Sequence, residues 1–303
     1  MVRQVEIPEQ FRKRPFTVSE ADAAGLSRGV LSGPRFRAPF PGVRVPCTLP
    51  DTLLVRCEAA ALVVPGTAAF CHETAAELWG LPLPRSTDQV HTIVPDKIVV
   101  PQIEGIVGHT GLDPDTVQTH DGVRAVHPDR TFFDLAPKLR LDDLVAVGDA
   151  ILRRWSTLEA LTVRASGLSR RRGIVRAREA LRLLRPGVDS RMESILRMLV
   201  IRAGLPCPEV NVDVYVDGGW VARPDLSYPE LKIAIEFDGD HHRTDKKQWR
   251  HDVFRGENMR DAGWIVIVLT ADDVLRRPEL TIHRIRQHYQ ARLAALTSSR
   301  LPF

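Results

Sequence analysis

The chain has 303 residues, of which 44% are hydrophobic and 26% are charged, and its formal net charge is +4 at pH 7. This composition is that of a globular protein and excludes wholesale disorder, while the length accommodates one large domain or two to three ordinary ones. No apolar run is long enough to cross a bilayer and the first residues lack the apolar segment of a signal peptide, so we expect a cytoplasmic protein without a membrane partner.

The cysteines form neither a C-x-x-C pair nor a plausible disulfide framework. They are Cys47, Cys57, Cys71 and Cys207. We expect all of them to be small buried side chains in a reducing compartment.

The first 50 residues predict a small DNA-binding unit. FTVSEADAAGLSRGVLSG predicts two short helices, with Thr17 or Ser19 and then Ser27 as N-caps. In RFRAPFPGVRVP, the alternating apolar residues and the Pro41-Gly42 turn predict a β-wing. The arginines of this segment are candidates for contacts to DNA phosphates: Arg28, Arg35, Arg37 and Arg44.

Residues 51–165 alternate between helix and strand signals. LLVRCEAAALVV and CHETAAELWGLPLP predict helices, VHTIVP predicts a strand, and RTFFDLAPKLRLDDLVAVGDAILRRW predicts one or two amphipathic helices. His72-Glu73 begins like a zinc-binding helix motif, but Ala76 stands where the second histidine belongs, so we exclude that motif. Other histidines here lack ligand spacing, and we expect them to be structural: His91, His109, His120 and His127.

Several motifs in this middle region are shared with a known family. W-G-L-P-L-P, V-H-T-I-V-P and H-P-D-R-T-F-F-D-L-A resemble the middle region of AbiEi-family antitoxin-like proteins, and residues 1–50 resemble their winged helix-turn-helix. The resemblance implies DNA as a partner and is compatible with a homodimer or a toxin–antitoxin partner. It implies no chemistry for the middle region.

A basic joint, residues 166–189, follows, with chain breaks indicated by SGLSRRRG and RPGVDS. It lies within an arginine-rich stretch, residues 153–202, that contains few acids. Such a block suits polyanion binding because guanidinium groups match the geometry of phosphate oxygens. A solvated helix face is an equally open alternative.

Residues 190–303 predict a mixed domain in the order helix, three strands, helix, strand, helix. SRMESILRMLVIRAGLP predicts the first helix. EVNVDVYV, WVARPDLSY and LKIAIEFDG predict the three strands, with a DGG turn after the first and a tight hairpin at Pro229-Glu230 after the second. KKQWRHDVFRGENMRDAG predicts a helix, WIVIVL a buried strand, and residues 278–296 a last helix.

The hairpin at Pro229-Glu230 predicts a cluster of acids on one face of the sheet. If these two residues form the whole loop, Asp225 lies opposite Ala234. Because side chains alternate faces along a strand, Asp225, Glu236 and Asp238 share one face. The other face is apolar: Leu226, Ile233, Ile235 and Phe237. Diagonal cross-strand neighbours lie about 7 Å apart, close enough to hold one cation. The alternative is an ordinary amphipathic hairpin with its acids in water.

Four motifs in this region resemble one family in the same order. They are R-P-D-L from Arg223, I-A-I-E-F-D-G-D-H-H from Ile233, D-x-x-R from Asp252 and G-W-x-V from Gly263. They resemble an endonuclease-like family related to the very-short-patch repair endonuclease, within the PD-(D/E)XK superfamily. The resemblance covers residues 190–295 and implies a restriction-endonuclease-like mixed sheet that hydrolyses DNA with a metal ion. An AbiEi-like front end before such a domain is typical of actinobacterial proteins.

The resemblance also implies roles by position. Asp225 and Glu236 correspond to the metal-binding acids, and Asp238 stands where the family usually has a lysine. A glycine after the strand allows a sharp turn that brings His241 and His242 beside the acids. One of these histidines replaces the lysine as general base or proton shuttle in this interpretation.

Further candidates complete the predicted site. The acids suit Mg²⁺ or Mn²⁺, hard cations that prefer oxygen ligands. Glu193 resembles the helical acid of such nucleases; alternatively, it is the N3 residue of a capping box that begins at Ser190. Arg250, His251 and Arg255, on the next predicted helix, are candidates for binding a flanking phosphate.

The sequence thus predicts an α/β (α+β overall) protein with four segments: a winged helix-turn-helix-like unit (1–50), an AbiEi-like α/β region (51–165), a basic linker or helix (166–189) and a PD-(D/E)XK endonuclease-like domain (190–303). The predicted function is a metal-dependent DNA endonuclease with an N-terminal DNA-binding module. The alternative is a non-catalytic DNA-binding transcriptional regulator or antitoxin-like protein with a degenerate nuclease fold, which the missing lysine favours.

Overall fold

The computed structural model describes residues 6–100, 102–239 and 256–299. Helices and both parallel and antiparallel strand pairs occur in it, which confirms the predicted α+β class. In the described residues, no helix is both long and apolar enough to cross a membrane.

The chain divides into two compact units. One is formed by Met1–Leu139 with Leu168–Ala177, and the other by Arg140–Gly167 with Arg178–Phe303. The four-segment division drawn from the sequence stays a prediction.

The first unit begins with the predicted pair of short helices and the β-wing. Its elements are a 3-10 turn at Glu9–Phe11, β1 (Phe16–Thr17), α1 (Val18–Ala23), α2 (Arg28–Leu31), β2 (Phe36–Arg37) and β3 (Val43–Pro46). The strands form an antiparallel sheet in the order β1-β3-β2. Thr17 caps α1 as predicted, since its hydroxyl accepts a hydrogen bond from the Glu20 N–H while the Glu20 carboxylate accepts one from the Thr17 N–H. The second helix has a single turn.

A five-stranded sheet with helices makes up the rest of this unit. The elements are α3 (Leu53–Ala61), β4 (Ala69–Phe70), α4 (His72–Leu78), β5 (Val90–Val94), β6 (Ile106–Thr110), a 3-10 turn at Pro114–Thr116, β7 (Val117–His120), β8 (Val123–Val126) and α5 (Pro128–Leu135). The strand order is β6-β5-β4-β8-β7, with β5–β6 and β4–β8 parallel. The sequence predicted α3, α4, β5 and α5 but none of the other strands.

Helices joined by ion pairs open the second unit. The helices that follow along the chain are α6 (Leu141–Arg154), α7 (Leu158–Gly167), α8 (Ile174–Leu183) and α9 (Arg191–Arg202). The first four residues of α8, through Ala177, belong to the first unit. Three acids of α6 pair with three arginines of α9: Asp142 with Arg202, Asp143 with Arg191 and Asp149 with Arg197. These arginines belong to the arginine-rich stretch, and each pairs with an acid of the same unit. Arg197 is buried and Arg191 is partly buried, so a solvated face does not describe these two, whereas Arg202 is exposed.

The carboxy-terminal sheet has the predicted helix–strand order with extra breaks. Its elements are β9 (Glu209–Val210), β10 (Val214–Val216), β11 (Gly219–Ala222), β12 (Leu226–Tyr228), a 3-10 turn at Pro229–Leu231, β13 (Ile233–Asp238), a helix α10 described over residues 256–261, β14 (Ile265–Thr270), α11 (Ala271–Leu275) and α12 (Pro278–Ser299). The main sheet has the order β14-β13-β12-β9, while β10 and β11 form a separate hairpin. The pair β13–β14 is parallel.

Two of the predicted strands are each divided between these two sheets. EVNVDVYV was predicted as one strand but forms β9 and β10, because Asn211 has a left-handed φ of 49° that turns the chain after β9. WVARPDLSY was also predicted as one strand but forms β11 and β12. Pro224 lies between them, and proline cannot donate a hydrogen bond to a strand partner. The single-strand predictions are therefore wrong at both places.

Apolar side chains cover both faces of the main sheet. One face packs against α9, α11 and α12 through a core that includes these residues: Leu196, Leu226, Ile233, Ile235, Ile267, Leu269, Val274 and Ile285. The opposite face contacts the β10–β11 hairpin and α10 through Val214, Ala222, Ala234, Met259 and Trp264. A mixed sheet flanked by helices was predicted from the sequence.

Two of the cysteines differ from expectation. Cys57 and Cys71 are buried as predicted, but Cys47 and Cys207 are exposed. Cys47 directly follows β3, and Cys207 precedes β9, so both belong to connecting segments, which run over protein surfaces.

Candidate functional site

The β12–β13 hairpin has a longer loop than the sequence predicted. Tyr228 pairs with Ile233, so the loop contains residues 229–232 rather than only Pro229-Glu230. A 3-10 turn fills it and ends at Lys232, whose φ is 49° and whose N–H donates to the Pro229 carbonyl at 3.0 Å. The predicted register is therefore wrong by two residues, since Ala234 lies opposite Ser227 instead of Asp225.

The acids nevertheless share one face, because a shift of two residues leaves every side chain on its predicted side. Leu226 lies opposite Ile235 on the apolar face. Continuing this register by one residue places Asp225 opposite Glu236. Directly opposed residues have Cβ atoms about 5 Å apart, closer than the diagonal arrangement expected from the sequence. Asp238 occupies the next position of the same face of β13.

The Asp225 carboxylate is held by the main chain of the neighbouring strand. Its Oδ2 accepts a hydrogen bond of 2.7 Å from the Phe237 N–H. Asp225, Glu236 and Asp238 are all partly buried. The register therefore puts the three predicted metal ligands on one side of the hairpin, with Asp225 oriented against β13. In the described part of the chain, the group of potential metal ligands whose atoms lie within 4.8 Å of one another is a different one, Cys71, His72 and His109.

Glu193 lies close to this hairpin through Asn211. Its side chain is buried, and its Oε2 accepts hydrogen bonds from the Asp189 N–H at 2.9 Å and from Asn211 Nδ2 at 3.3 Å. The main-chain N–H of Asn211 donates to the main-chain carbonyl of Asp225 at 3.0 Å. Asn211 therefore links the helical acid to the segment that carries Asp225. No sequence pattern singled out Asn211.

The predicted capping box at the start of α9 is half right. Ser190 is the N-cap, and its hydroxyl accepts a hydrogen bond of 3.2 Å from the Glu193 N–H. Instead of the Ser190 N–H, the N–H of Asp189, one residue before the cap, donates to the Glu193 carboxylate, which also accepts from Asn211. Metal binding by Glu193 stays a prediction.

The remaining predicted residues of this site lie outside the described residues. They are His241, His242, Arg250, His251 and Arg255. Lys232, the lysine of the hairpin loop, donates from its Nζ to the carbonyl of Ala262, just after α10, at 3.1 Å. The roles proposed for the two histidines stay predictions.

The four arginines of the front unit differ in their surroundings. Arg37 donates to the carbonyls of Leu49 and Pro50, and Arg44 donates to the carbonyl of Leu31 at the end of α2. Arg35 is partly buried, and Arg28, at the start of α2, is exposed. Arg28 is thus the arginine of this set that the fold leaves most accessible to a phosphate.

A second cluster gathers residues that the sequence did not connect. Cys71 directly follows β4, whose Phe70 lies opposite Thr92 of β5, so Cys71 is beside His91. Its N–H donates to the His91 carbonyl at 3.0 Å. Strand β5 pairs in parallel with β6, which carries His109 two positions along from the partner of His91. Ligand spacing was absent from the sequence because these residues come from two strands, β5 and β6, and from the junction between β4 and α4.

Short distances connect the side chains of this cluster. Cys71 Sγ lies 3.1 Å from His72 Nδ1, and His91 Nδ1 lies 3.1 Å from His109 Nε2. The rings of His72 and His109 are stacked with centroids 3.9 Å apart. His91 Nε2 lies 3.6 Å from Glu73 Oε2. Burial lowers the pKa of His72 to about 2 and also lowers the pKa of His91 and of His109, so all three rings are neutral at pH 7.

The other two histidines have structural contacts, as predicted. His120 and His127 pack against the ring of Trp79, with centroids 4.3 and 6.4 Å away. His127 is also the N-cap of α5, where its Nδ1 accepts a hydrogen bond from the Asp129 N–H.

Known proteins resemble this chain over most of its length. Residues 68–183 match the model of the AbiEi antitoxin C-terminal domain, which supports the AbiEi-like resemblance of the middle region. The chain is 31% identical over 247 residues to two proteins of Mycobacterium tuberculosis: the uncharacterized protein MT2308 of strain CDC 1551 / Oshkosh and the uncharacterized protein Rv2248 of strain H37Rv. The similarity covers 81% of this chain and 90% of each relative. The endonuclease-like resemblance of residues 190–295 stays a prediction. The chain therefore belongs to the same family as these mycobacterial proteins and contains a region of the AbiEi antitoxin C-terminal type.

Proposed function

We propose that the carboxy-terminal sheet carries the active site of a metal-dependent nuclease that hydrolyses phosphodiester bonds in DNA. The observation that supports this proposal is the hydrogen bond from the Phe237 N–H to Asp225 Oδ2, next to the pairing of Leu226 with Ile235, a register that places Asp225 opposite Glu236 when it is extended by one residue. Carboxylates that share a site repel one another, and a bound cation compensates their charge.

The donor chemistry fits the expected cation. Asp225, Glu236 and Asp238 offer only carboxylate oxygens, which suit Mg²⁺ or Mn²⁺. When bound at such a site, the ion polarises the phosphate and lowers the pKa of a coordinated water. The Phe237 N–H holds the Asp225 carboxylate in position beforehand, as hydrogen bonds to metal ligands commonly do. His241 or His242 is the proposed proton acceptor, by resemblance to the endonuclease family.

Cleavage of supercoiled plasmid tests the proposal. The purified chain is expected to nick the plasmid with Mg²⁺ or Mn²⁺ and to lose this activity in EDTA. Asp225→Asn and Glu236→Gln should each lower the rate by at least about 100-fold, since even outer-shell partners contribute 10- to 100-fold at metal sites. Glu230→Gln is the matched control, because Glu230 is an exposed acid in the loop of the same hairpin. Cleavage by both variants at the wild-type rate would exclude this site.

A second candidate function is a non-catalytic DNA-binding regulator or antitoxin-like protein. The AbiEi antitoxin C-terminal match of residues 68–183 favours it, together with the winged-helix-like module before that region. In this case the chain binds DNA in EDTA as tightly as in Mg²⁺ and cleaves it with neither metal. Mobility-shift and cleavage measurements on the same preparation separate the two functions.

A further inference from the structure

We propose that Cys71, His72 and His109 form a binding site for a transition-metal cation of the Zn²⁺ class. One ligand atom from each residue can be chosen so that all three lie within 4.8 Å of one another. Ligand atoms of a tetrahedral site with Zn–S and Zn–N bonds are about 3.4 Å apart, so small side-chain rotations would bring these atoms to bonding distance. Three protein ligands leave a fourth position for water or another group.

The chemistry of this trio differs from that of the acidic site. A thiolate with two imidazoles selects Zn²⁺ and its neighbours, whereas carboxylates suit Mg²⁺ and Mn²⁺. Cys71 is fully buried while His72 and His109 are partly exposed, so an ion can enter from the imidazole side. Burial raises the pKa of the Cys71 thiol well above its usual range, and a bound cation would favour its deprotonation.

The backbone supports a functional interpretation of His72. Its φ is 51°, which lies in the left-handed region. Only glycine adopts this region without strain, and among other residues asparagine and aspartate adopt it most readily. Such strained conformations concentrate at binding and catalytic sites. Here the strained backbone brings the imidazole of His72 beside Cys71 Sγ and against the ring of His109.

A chain of polar contacts lies behind His109. Lys138 Nζ donates to both oxygens of Glu73 at 2.9 and 3.0 Å, and Glu73 lies beside His91 Nε2. If His91 donates its Nε2–H to Glu73, its Nδ1 accepts the Nε2–H of His109. His109 then presents Nδ1, unprotonated, as its ligand atom. Carboxylate–histidine contacts of this kind orient the histidine ligands of metal sites.

Cobalt substitution tests the site on the full chain. The protein is stripped with a chelator and titrated with Co²⁺, whose thiolate complexes show charge-transfer absorption in the near ultraviolet. We expect one equivalent of Co²⁺ to produce this band together with the visible bands of tetrahedral Co²⁺, and Zn²⁺ to displace it. The proposal is overturned if the wild-type chain shows neither the charge-transfer band with Co²⁺ nor a rise in melting temperature with Zn²⁺.

Matched variants identify the ligands. Cys71→Ser should lose the charge-transfer band, whereas Cys57→Ser should keep it, because Cys57 is also buried in this unit but lies outside the cluster. His72→Asn tolerates the left-handed backbone and His109→Asn replaces a partly exposed ring, so both should fold and bind Co²⁺ at least about 10-fold more weakly. A band that survives in folded Cys71→Ser, or binding unchanged in both histidine variants, contradicts the site. If Cys71→Ser does not fold, the histidine variants decide.

Discussion

Asp149 Oδ2 on α6 lies 2.6 Å from Arg197 Nη2 on α9, and both side chains are almost completely buried. Asp149 also accepts hydrogen bonds from Ser194 Oγ and from the Arg185 N–H, each at 2.8 Å. Burial raises the pKa of Asp149, and the charge of Arg197 opposes that effect. The carboxylate is therefore the centre of a network that joins two helices of the second unit.

Removal of Asp149 should destabilise the second unit strongly. Asp149→Ala leaves the Arg197 charge buried without its partner, which typically costs about 3–5 kcal/mol in free energy of unfolding. Asp272→Ala is the control, because its pair with Arg276 is exposed and should contribute at most about 1 kcal/mol. Urea denaturation of both variants measures the difference. Equal losses of stability would mean that the buried ion pair contributes no more to the free energy of unfolding than the exposed pair.

Asp225→Asn should separate the stability of the acidic site from its affinity for metal. The amide can still accept from the Phe237 N–H, and one repelling charge is lost. In EDTA the variant should therefore melt at the wild-type temperature or above it. A ligand at a hundredfold excess over its Kd stabilises the folded state by about 2.7 kcal/mol, so Mn²⁺ should raise the wild-type melting temperature and raise that of the variant much less. Equal shifts in both proteins would contradict the site.

The neutral histidines predict a loss of stability in mild acid. Burial lowers the pKa of His72, His91 and His109 in the folded chain, whereas an unperturbed imidazole titrates at about 6.5. Below that pH the unfolded state binds more protons than the folded state, so stability is complete above about pH 6.5 and falls as the pH falls toward the lowered pKa values. Urea midpoints in chelator between about pH 7 and 5 measure the slope. His72→Asn should have a shallower slope, and an identical slope would argue against a buried neutral His72.

In the front unit, the Arg28→Ala variant should change mainly DNA binding, and the Arg44→Ala variant should change mainly stability. Arg28→Ala removes an exposed charge and should leave stability within about 0.5 kcal/mol, while reducing the log–log salt slope of DNA binding by about 0.9 if it contacts one phosphate. Arg44→Ala removes the hydrogen bond to the Leu31 carbonyl and should cost about 1 kcal/mol. Binding titrations over a range of salt concentrations, with thermal melts, test both. A salt slope unchanged by Arg28→Ala would remove it from the DNA contacts.

Gly173 is required for close packing as well as for its backbone angle. Its φ is +82°, and a Cβ there would lie 2.6 Å from the nitrogen of Pro137 and 2.8 Å from the carbonyl carbon of Ala136. Gly25 has the same φ but no atom within 4 Å of its Cβ position, so Gly25→Ala should cost only the conformational strain, about 1–2 kcal/mol. Gly173→Ala should cost about 1–3 kcal/mol more. Similar melting temperatures for the two variants would show that the backbone yields at Gly173.

Local patterns predicted the elements and the faces of the sheet. Period-two alternation placed Asp225 and Glu236 on one side of the hairpin, and the structure keeps them there. The loop length was wrong because Pro229 marks the start of the 3-10 turn, whereas its end is at Lys232, a left-handed residue that is neither proline nor glycine. Strand ends were missed for the same reason at Asn211, where a non-glycine residue adopts a left-handed conformation.

The Cys71 cluster was beyond prediction from spacing. Its histidines were interpreted as structural because no two of them stand at the intervals of a helical or loop metal motif. Their proximity depends on the order β6-β5-β4, which includes two strands that the sequence did not predict, β4 and β6. The residue pattern of a single segment does not indicate the order in which the strands pair.

The four-residue connection between β12 and β13 limits how the length of this protein can vary among its relatives. Loss or gain of two residues slides the pairing but leaves Glu236 on the side of Asp225. Loss or gain of one residue requires either a different turn or a one-residue slip of β13, and that slip would rotate Glu236 into the apolar layer formed by Ile233 and Ile235. Relatives that retain both acids should therefore differ at this loop by even numbers of residues, or carry a compensating bulge in one of the two strands.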